Sequence, residues 1–260
     1  MSVGPPDYQE RYRVRSYEVE PDATLRLVSL VRMLQEVAWQ HASLLGKGFA
    51  EREEGAYFWV LSRLRLRIDR YPRWGDEIVI RTYPVGTDKL LALREFEIVE
   101  QTDDAPAVIG RATTAWLIVD GGSGRPVRPA PIVSDLELTP SRYEAHPGFG
   151  LERVDERTAR PARLDGPYRA RHRDIDQYGH VNNASYLEWM IDAMSDQGVW
   201  QPPSDLAVDF LSETLPGDSY VVGVAAATGC DDSVYSQVQR TSDDRVAARA
   251  RLRVAPAGSR

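Results

Sequence analysis

Apolar residues recur at three- and four-residue spacing through the first fifth of the chain: Leu27, Leu30, Val31, Leu34, Val37, Ala38, His41, Leu44 and Leu45. That stripe predicts one amphipathic helix of about five turns, closed near Gly46 and Gly48. Ahead of it, residues 1 to 11 read as a mobile lead, Tyr12 to Val19 has strand character, and Pro21-Asp22-Ala23-Thr24 is a turn with a helix cap. After it the period changes to two. Trp59 to Ile68 alternates, with Leu64, Leu66 and Ile68 on one face and Arg63, Arg65 and Arg67 on the other. Pro72 to Asp76 turns the chain into further strands over Glu77–Tyr83, Leu90–Glu100 and Val108–Val119. Thr102-Asp103-Asp104 and Gly121 to Gly124 serve as turns.

Residues 125 to 165 then hold six prolines, at 126, 129, 131, 140, 147 and 161, which mark a connector. Beyond it the pattern returns. With an offset of 156 (168 minus 12), Tyr12-Arg13-Val14-Arg15 falls on Tyr168-Arg169-Ala170-Arg171, and Glu18-Val19-Glu20 falls on Asp174-Ile175-Asp176. Further on, Trp74-Gly75-Asp76 matches Pro216-Gly217-Asp218 at an offset of 142 (217 minus 75), each followed by an alternating strand. Val234–Arg240 and Arg245–Val254 echo the strand pair at 90 to 119. Each half reads strand, helix, then about four strands, a unit that buries a long helix against a curved antiparallel sheet. The expected organisation is two such domains, residues 1–133 and 164–260, joined by a connector over 134–163, packed as a pseudo-symmetric pair.

Composition adds exclusions. With 42% hydrophobic and 27% charged residues the chain is an ordinary globular protein. No apolar run reaches the roughly 20 residues of a membrane span, and the first residues lack the regions of a signal peptide, so a cytoplasmic location is the default. The single cysteine, Cys230, excludes an intrachain disulfide and a multi-cysteine zinc site. A net charge of −7 argues against general nucleic-acid binding.

The candidate chemistry lies between Tyr168 and Met194. Two acids, a histidine and two asparagines sit within Asp174-Ile175-Asp176-Gln177-Tyr178-Gly179-His180-Val181-Asn182-Asn183, just before the second helical stripe. Asn182 or Asn183 is placed to cap that helix, whose first N–H groups lack intrahelical partners and can polarise a carbonyl oxygen. The halves differ here. Where the second has Asp176, Tyr178, His180 and Asn182, the first has Glu20, Asp22, Thr24 and Arg26; opposite Glu213 stands Tyr71. One active site per chain, carried mainly by the second half, is the expectation. The four-residue spacing lets Asp176 orient His180.

The run from Asp174 to Leu187 resembles the signature of hotdog-fold thioesterases. The duplication, the length and Trp189 narrow the resemblance to the acyl-ACP thioesterases of plants and bacteria. It implies an α+β tandem (double) hotdog, two long helices each wrapped by a curved antiparallel sheet. It implies hydrolysis of fatty acyl thioesters on acyl carrier protein, with no cofactor and no metal. On that pattern Asp176, His180 and Glu213 are catalytic, with Tyr178, Asn182, Asn183 and Thr214 in the supporting or oxyanion region. Two positions depart from the plant pattern: Tyr178 replaces an asparagine, and Thr214 replaces a cysteine, so a cysteine nucleophile is untenable. The Asp-Gln-Tyr-Gly-His spelling is closer to single-hotdog acyl-CoA thioesterases, which keeps coenzyme A substrates open. A hotdog hydratase or dehydratase acting on acyl thioesters, and a non-catalytic acyl-binding module, also fit these residues. Arg63, Arg65 and Arg67 are candidates for docking an acidic carrier protein, and further pairing of two chains is open.

Overall fold

The computed structural model describes residues 5–48, 57–102, 105–141, 152–155, 161, 164–226 and 233–254. Cys230 and the expected turn residues Asp103 and Asp104 lie outside them. The chain divides into two compact units, Met1–Leu151 and Glu152–Arg260.

In the first unit, strand β1 (Tyr8–Arg13) precedes helix α1 (Leu27–Leu44), followed by β2 (Tyr57–Ile68), β3 (Glu77–Asp88), β4 (Leu91–Gln101), β5 (Ala107–Asp120) and the two-residue β6 (Pro126–Val127). The sheet is antiparallel in the order β1-β3-β4-β5-β2, with β6 added on β5. The second unit has β7 (Leu164–Arg169), α2 (Asn183–Asp196), β8 (Asp205–Phe210), β9 (Ser219–Ala226), β10 (Ser233–Arg240) and β11 (Val246–Arg253). Its order is β7-β9-β10-β11-β8, the first unit's order repeated strand for strand.

The stripe on α1 does what its spacing requires. Leu30, Val31, Leu34 and Val37 are fully buried, and the helix packs against β1 and β3. Each such side chain removed from water contributes about 1.5–3 kcal/mol. The helix stops at Leu45, and Gly46 follows at φ +67°, a left-handed residue that ends helices without a Cβ penalty. A cavity beneath α1 is lined by Val31, Leu34 and Gln35 from the helix, together with Phe96 and Trp116. Met33 and Val37 are buried and Trp39 is exposed, and none of the three lines this cavity. Among the described residues no helix is long and apolar enough to cross a membrane.

Two sequence expectations shift. The first strand is Tyr8–Arg13, not Tyr12–Val19, because Ser16–Glu18 forms a 3-10 turn that feeds the helix mouth. The arginines of β2 do not share an exposed face. Arg65 is only 3% exposed and donates to the Leu64 carbonyl at 2.9 Å, and Arg63 is half-buried. Arg67 is exposed beside Asp69 at 3.7 Å. The in-register neighbours of Arg65 are buried with it. In register with Arg65 lie Thr113 and then Glu95, both buried, and Ser141 donates to the Glu95 carboxylate. Residues of the expected connector also pack: Val154 is buried against Ala207 and Tyr235, and its N–H donates to Asp209 at 2.8 Å.

A polar cluster lies inside the first unit. His41, fully buried on α1, accepts at Nδ1 from Arg94 Nη1 at 2.9 Å, so its Nε2–H donates to the Pro5 carbonyl at 2.9 Å. Tyr8 stacks on the ring. Arg94 also donates to Thr82 Oγ1 at 3.1 Å. Burial, then the Arg94 cation, push the imidazole down to about 4. The native state therefore resists a proton that the unfolded chain takes up below about pH 6.5. Stability from this site is complete above that pH and drains away as pH falls toward 4, by on the order of 3 kcal/mol. Urea denaturation of wild type and His41→Gln between pH 7 and 4 checks this. The wild type should show the steeper fall, and parallel pH dependences would rule this origin out.

Candidate active site

The polar cluster at the head of the second unit is a tightly bonded turn. His172–Asp174 forms a 3-10 turn, and the Asp174 carboxylate accepts the Arg171 N–H at 2.7 Å. Ile175 and Val181 face each other in a bridge, with the Asp176 N–H on the His180 carbonyl at 2.8 Å and the Asn182 N–H on the Asp174 carbonyl at 2.8 Å. Gly179 sits at φ +81° at the tip, where a side chain would be strained. Asn182 is the N-cap of α2: its side chain accepts the Ala184 N–H at 2.8 Å. The Asn183 N–H, the first of the helix, has no hydrogen-bond partner among the described residues.

Glu213 arrives on the loop between β8 and β9. Its Oε2 is 3.4 Å from His180 Nε2, and the two side chains are 64% and 47% exposed. The loop is fixed at two main-chain points. The Val181 N–H donates to the Thr214 carbonyl at 3.0 Å, and Arg240 Nη1 donates to the Glu213 carbonyl at 2.5 Å. Thr214 is fully buried, and its hydroxyl oxygen lies beside the Tyr186 phenol. Burial pushes the Tyr186 phenol up, and Thr214 opposes the shift.

The structure brings His180 and Glu213 together and sets Asp176 against the main chain of the turn. Asp176 Oδ1 accepts the N–H groups of Tyr178 at 2.9 Å and His180 at 3.3 Å. It orders the turn that carries the imidazole. Tyr178 is exposed and contributes its N–H to that turn. Arg240 is a neighbour of the pair that motif and spacing do not reveal. Its signal in the chain is the hairpin tip Arg240-Thr241-Ser242-Asp243, an i,i+3 ion pair just before a strand.

The first unit repeats the same bonds without the chemistry. Glu18 accepts the Arg15 N–H at 2.8 Å, Val19 bridges Leu25, the Glu20 N–H reaches the Thr24 carbonyl at 2.8 Å, and the Arg26 N–H reaches the Glu18 carbonyl at 2.8 Å. Ala23, at φ +68°, stands for Gly179. The Leu25 N–H donates to the Pro72 carbonyl at 2.8 Å, the counterpart of Val181 on Thr214. Every pair obeys the offsets of 156 and 142 read from the sequence. At the chemical positions, Thr24 stands for His180 and Tyr71 for Glu213. Burial, then Glu20, push the Tyr71 phenol well above its usual range.

The chain is a tandem pair of helix-on-sheet units of the double-hotdog kind, one of them with a histidine–carboxylate pair at its helix mouth. The chain belongs to the acyl-ACP thioesterase family. Residues 5–135 match the family model of the acyl-ACP thioesterase N-terminal domain, and residues 158–252 match that of the C-terminal domain. It is similar to oleoyl-acyl carrier protein thioesterase 1, chloroplastic, of Arabidopsis thaliana, at 27% identity over 91% of this chain and 72% of that protein. It is also similar to the oleoyl-acyl carrier protein thioesterase, chloroplastic, of Coriandrum sativum, at 30% identity over 72% of this chain and 53% of that protein. The chain thus spans between about half and three quarters of the length of these relatives. Two solved structures share the fold. One is an acyl-ACP thioesterase from Bacteroides thetaiotaomicron (TM-score 0.79, 22% identity, 97% of this chain and 99% of that one). The second is the 12:0-ACP thioesterase from Umbellularia californica (TM-score 0.78, 20% identity, 97% and 98%).

Asn182→Ala removes the cap and leaves the Ala184 N–H unpaired at a half-buried helix start. Urea denaturation should show a loss of about 1 kcal/mol, while Asn182→Asp should keep most of the wild-type stability.

Proposed function

We propose that this protein hydrolyses the thioester of fatty acyl chains carried on acyl carrier protein, releasing the free fatty acid. The observation that carries the reading is the His180–Glu213 pair, 3.4 Å apart at the mouth of α2 in the unit matching the family's C-terminal domain. The pair is open to solvent, as a site that admits both water and a carrier-borne thioester requires. A water oxygen attacks the thioester carbonyl carbon while its proton passes to the His180–Glu213 pair. The negative charge building on the carbonyl oxygen falls to the Asn183 N–H, the donor left over at the start of the helix. Collapse of the tetrahedral intermediate breaks the C–S bond, and the proton goes to the leaving sulfur. Asp176 supports the site by holding the His180 main chain. The domain assignment we adopt is residues 1–133 and 164–260, with 134–163 between them. We also assign the protein to the cytoplasm, and leave pairing of two chains to a sedimentation measurement.

Free-thiol release from a chain-length series of acyl-ACP and matched acyl-CoA tests the reading. Wild type should turn over acyl-ACP, and His180→Ala and Glu213→Gln should each lower kcat by about 10²–10⁴-fold. Asp176→Asn should cost less, because an amide oxygen can still accept the two N–H bonds. Turnover of acyl-CoA alone would move the protein to the coenzyme A branch. Water addition to an enoyl thioester without thiol release would make it a hydratase. Wild-type rates in both Glu213→Gln and Asp176→Asn would refute the site.

A further inference from the structure

The side chain of Glu213 is held by little. It is mostly exposed, and His180 is its one ion-pair partner among the described residues. Its direction therefore depends on the main chain beneath it. The Thr214 carbonyl is taken by Val181 and the Glu213 carbonyl by Arg240, at 2.5 Å.

Arg240 is itself fixed. Its Nε donates to Asp243 Oδ1 at 2.9 Å and its Nη2 to Asp243 Oδ2 at 2.6 Å, a bidentate pair across the β10–β11 hairpin tip. Such a pair sets the plane of the guanidinium. The hydrogen bonds from Arg240 hold the Asp243 carboxyl down to about 2. Two donor groups close the hairpin, and the third, Nη1, is left for the Glu213 carbonyl.

The duplicated unit supplies an independent comparison. At the offset of 142, Ile78 corresponds to Tyr220 (78 plus 142). Ile78 is in register with Glu100, and Tyr220 is in register with Arg240. Glu100 thus occupies in the first unit the place of Arg240 in the second. There the charge is reversed: the buried Glu100 carboxylate pairs with the Arg70 side chain, next to Tyr71. The unit bearing the histidine–glutamate pair has a cation aimed at the main chain of its acid. The unit lacking it has an ordinary ion pair.

We infer that Arg240, anchored by Asp243, is the positioning residue that holds Glu213 against His180. The inference rests on the hydrolase reading for its kinetic arm only. If Arg240 acts through Glu213, Arg240→Ala should lower kcat for acyl-ACP by about 10–100-fold with little change in KM. The same change made on Glu213→Gln should cost nothing further, since the group it positions is gone. Arg240→Lys, which keeps one donor and loses the bidentate clamp, should recover part of the rate. A second readout does not need turnover. The chain has four histidines, and the His180 imidazole resonances can be assigned by NMR. Arg240→Ala should move them in the direction that Glu213→Gln does, and the double variant should match Glu213→Gln alone. Equal rate losses in both backgrounds, unchanged rates, or a His180 resonance indifferent to Arg240 would each overturn the inference. If neither acyl-ACP nor acyl-CoA is hydrolysed while the NMR pattern holds, the hydrolase reading fails and the positioning of Glu213 stands.

Discussion

The hydrogen bond from the Val181 N–H to the Thr214 carbonyl joins a loop between two strands to the mouth of a helix. Most of the second unit's chemistry depends on that junction. The histidine belongs to a turn ordered by Asp174, Asp176 and the Asn182 cap. The glutamate belongs to the β8–β9 loop, far away in the chain. No local propensity can bring the two together; only the sheet, which fixes where β8 ends and β9 begins, puts the Thr214 carbonyl within reach of Val181. Main chain does the joining, and the side chains of His180 and Glu213 remain largely solvent-exposed.

The same device in the first unit shows that the junction is scaffold before it is chemistry. Leu25 and Pro72 make the identical bond, and Glu18, Val19 and Glu20 the identical turn, although no histidine follows. Folding thus accounts for the turn, and function accounts for what was placed on it. The helix caps, the left-handed tip residues and the Gly-Asp turns are needed to seat a long helix on a sheet in either copy.

Much of this was legible in the chain because it is periodic. The three- and four-residue stripe of α1 gave its bounds to within a residue, and the offsets of 156 and 142 paired residues that do stand in equivalent places. The candidate residues His180, Glu213 and Asn182 were visible through the motif. What stayed hidden is what each side chain meets. Alternation in β2 sets Arg65 opposite the leucines, but does not show that it is buried beside Thr113 and Glu95. Spacing places Asp176 near His180 without saying whether carboxylate meets ring or main chain. For Arg240 the chain shows the ion pair with Asp243 and not the target, which is a carbonyl that every residue has.

The reversed charge at the strand end sets how the two copies could be exchanged. Grafting the reactive pair into the first unit would require Thr24→His and Tyr71→Glu, and it could not stop there. Glu100 would have to become arginine to hold the new acid, and Arg70, deprived of its partner, would then face a second, largely buried cation. Each copy has settled into its own sign of charge, so a hybrid of the two passes through intermediates with unmatched buried ions.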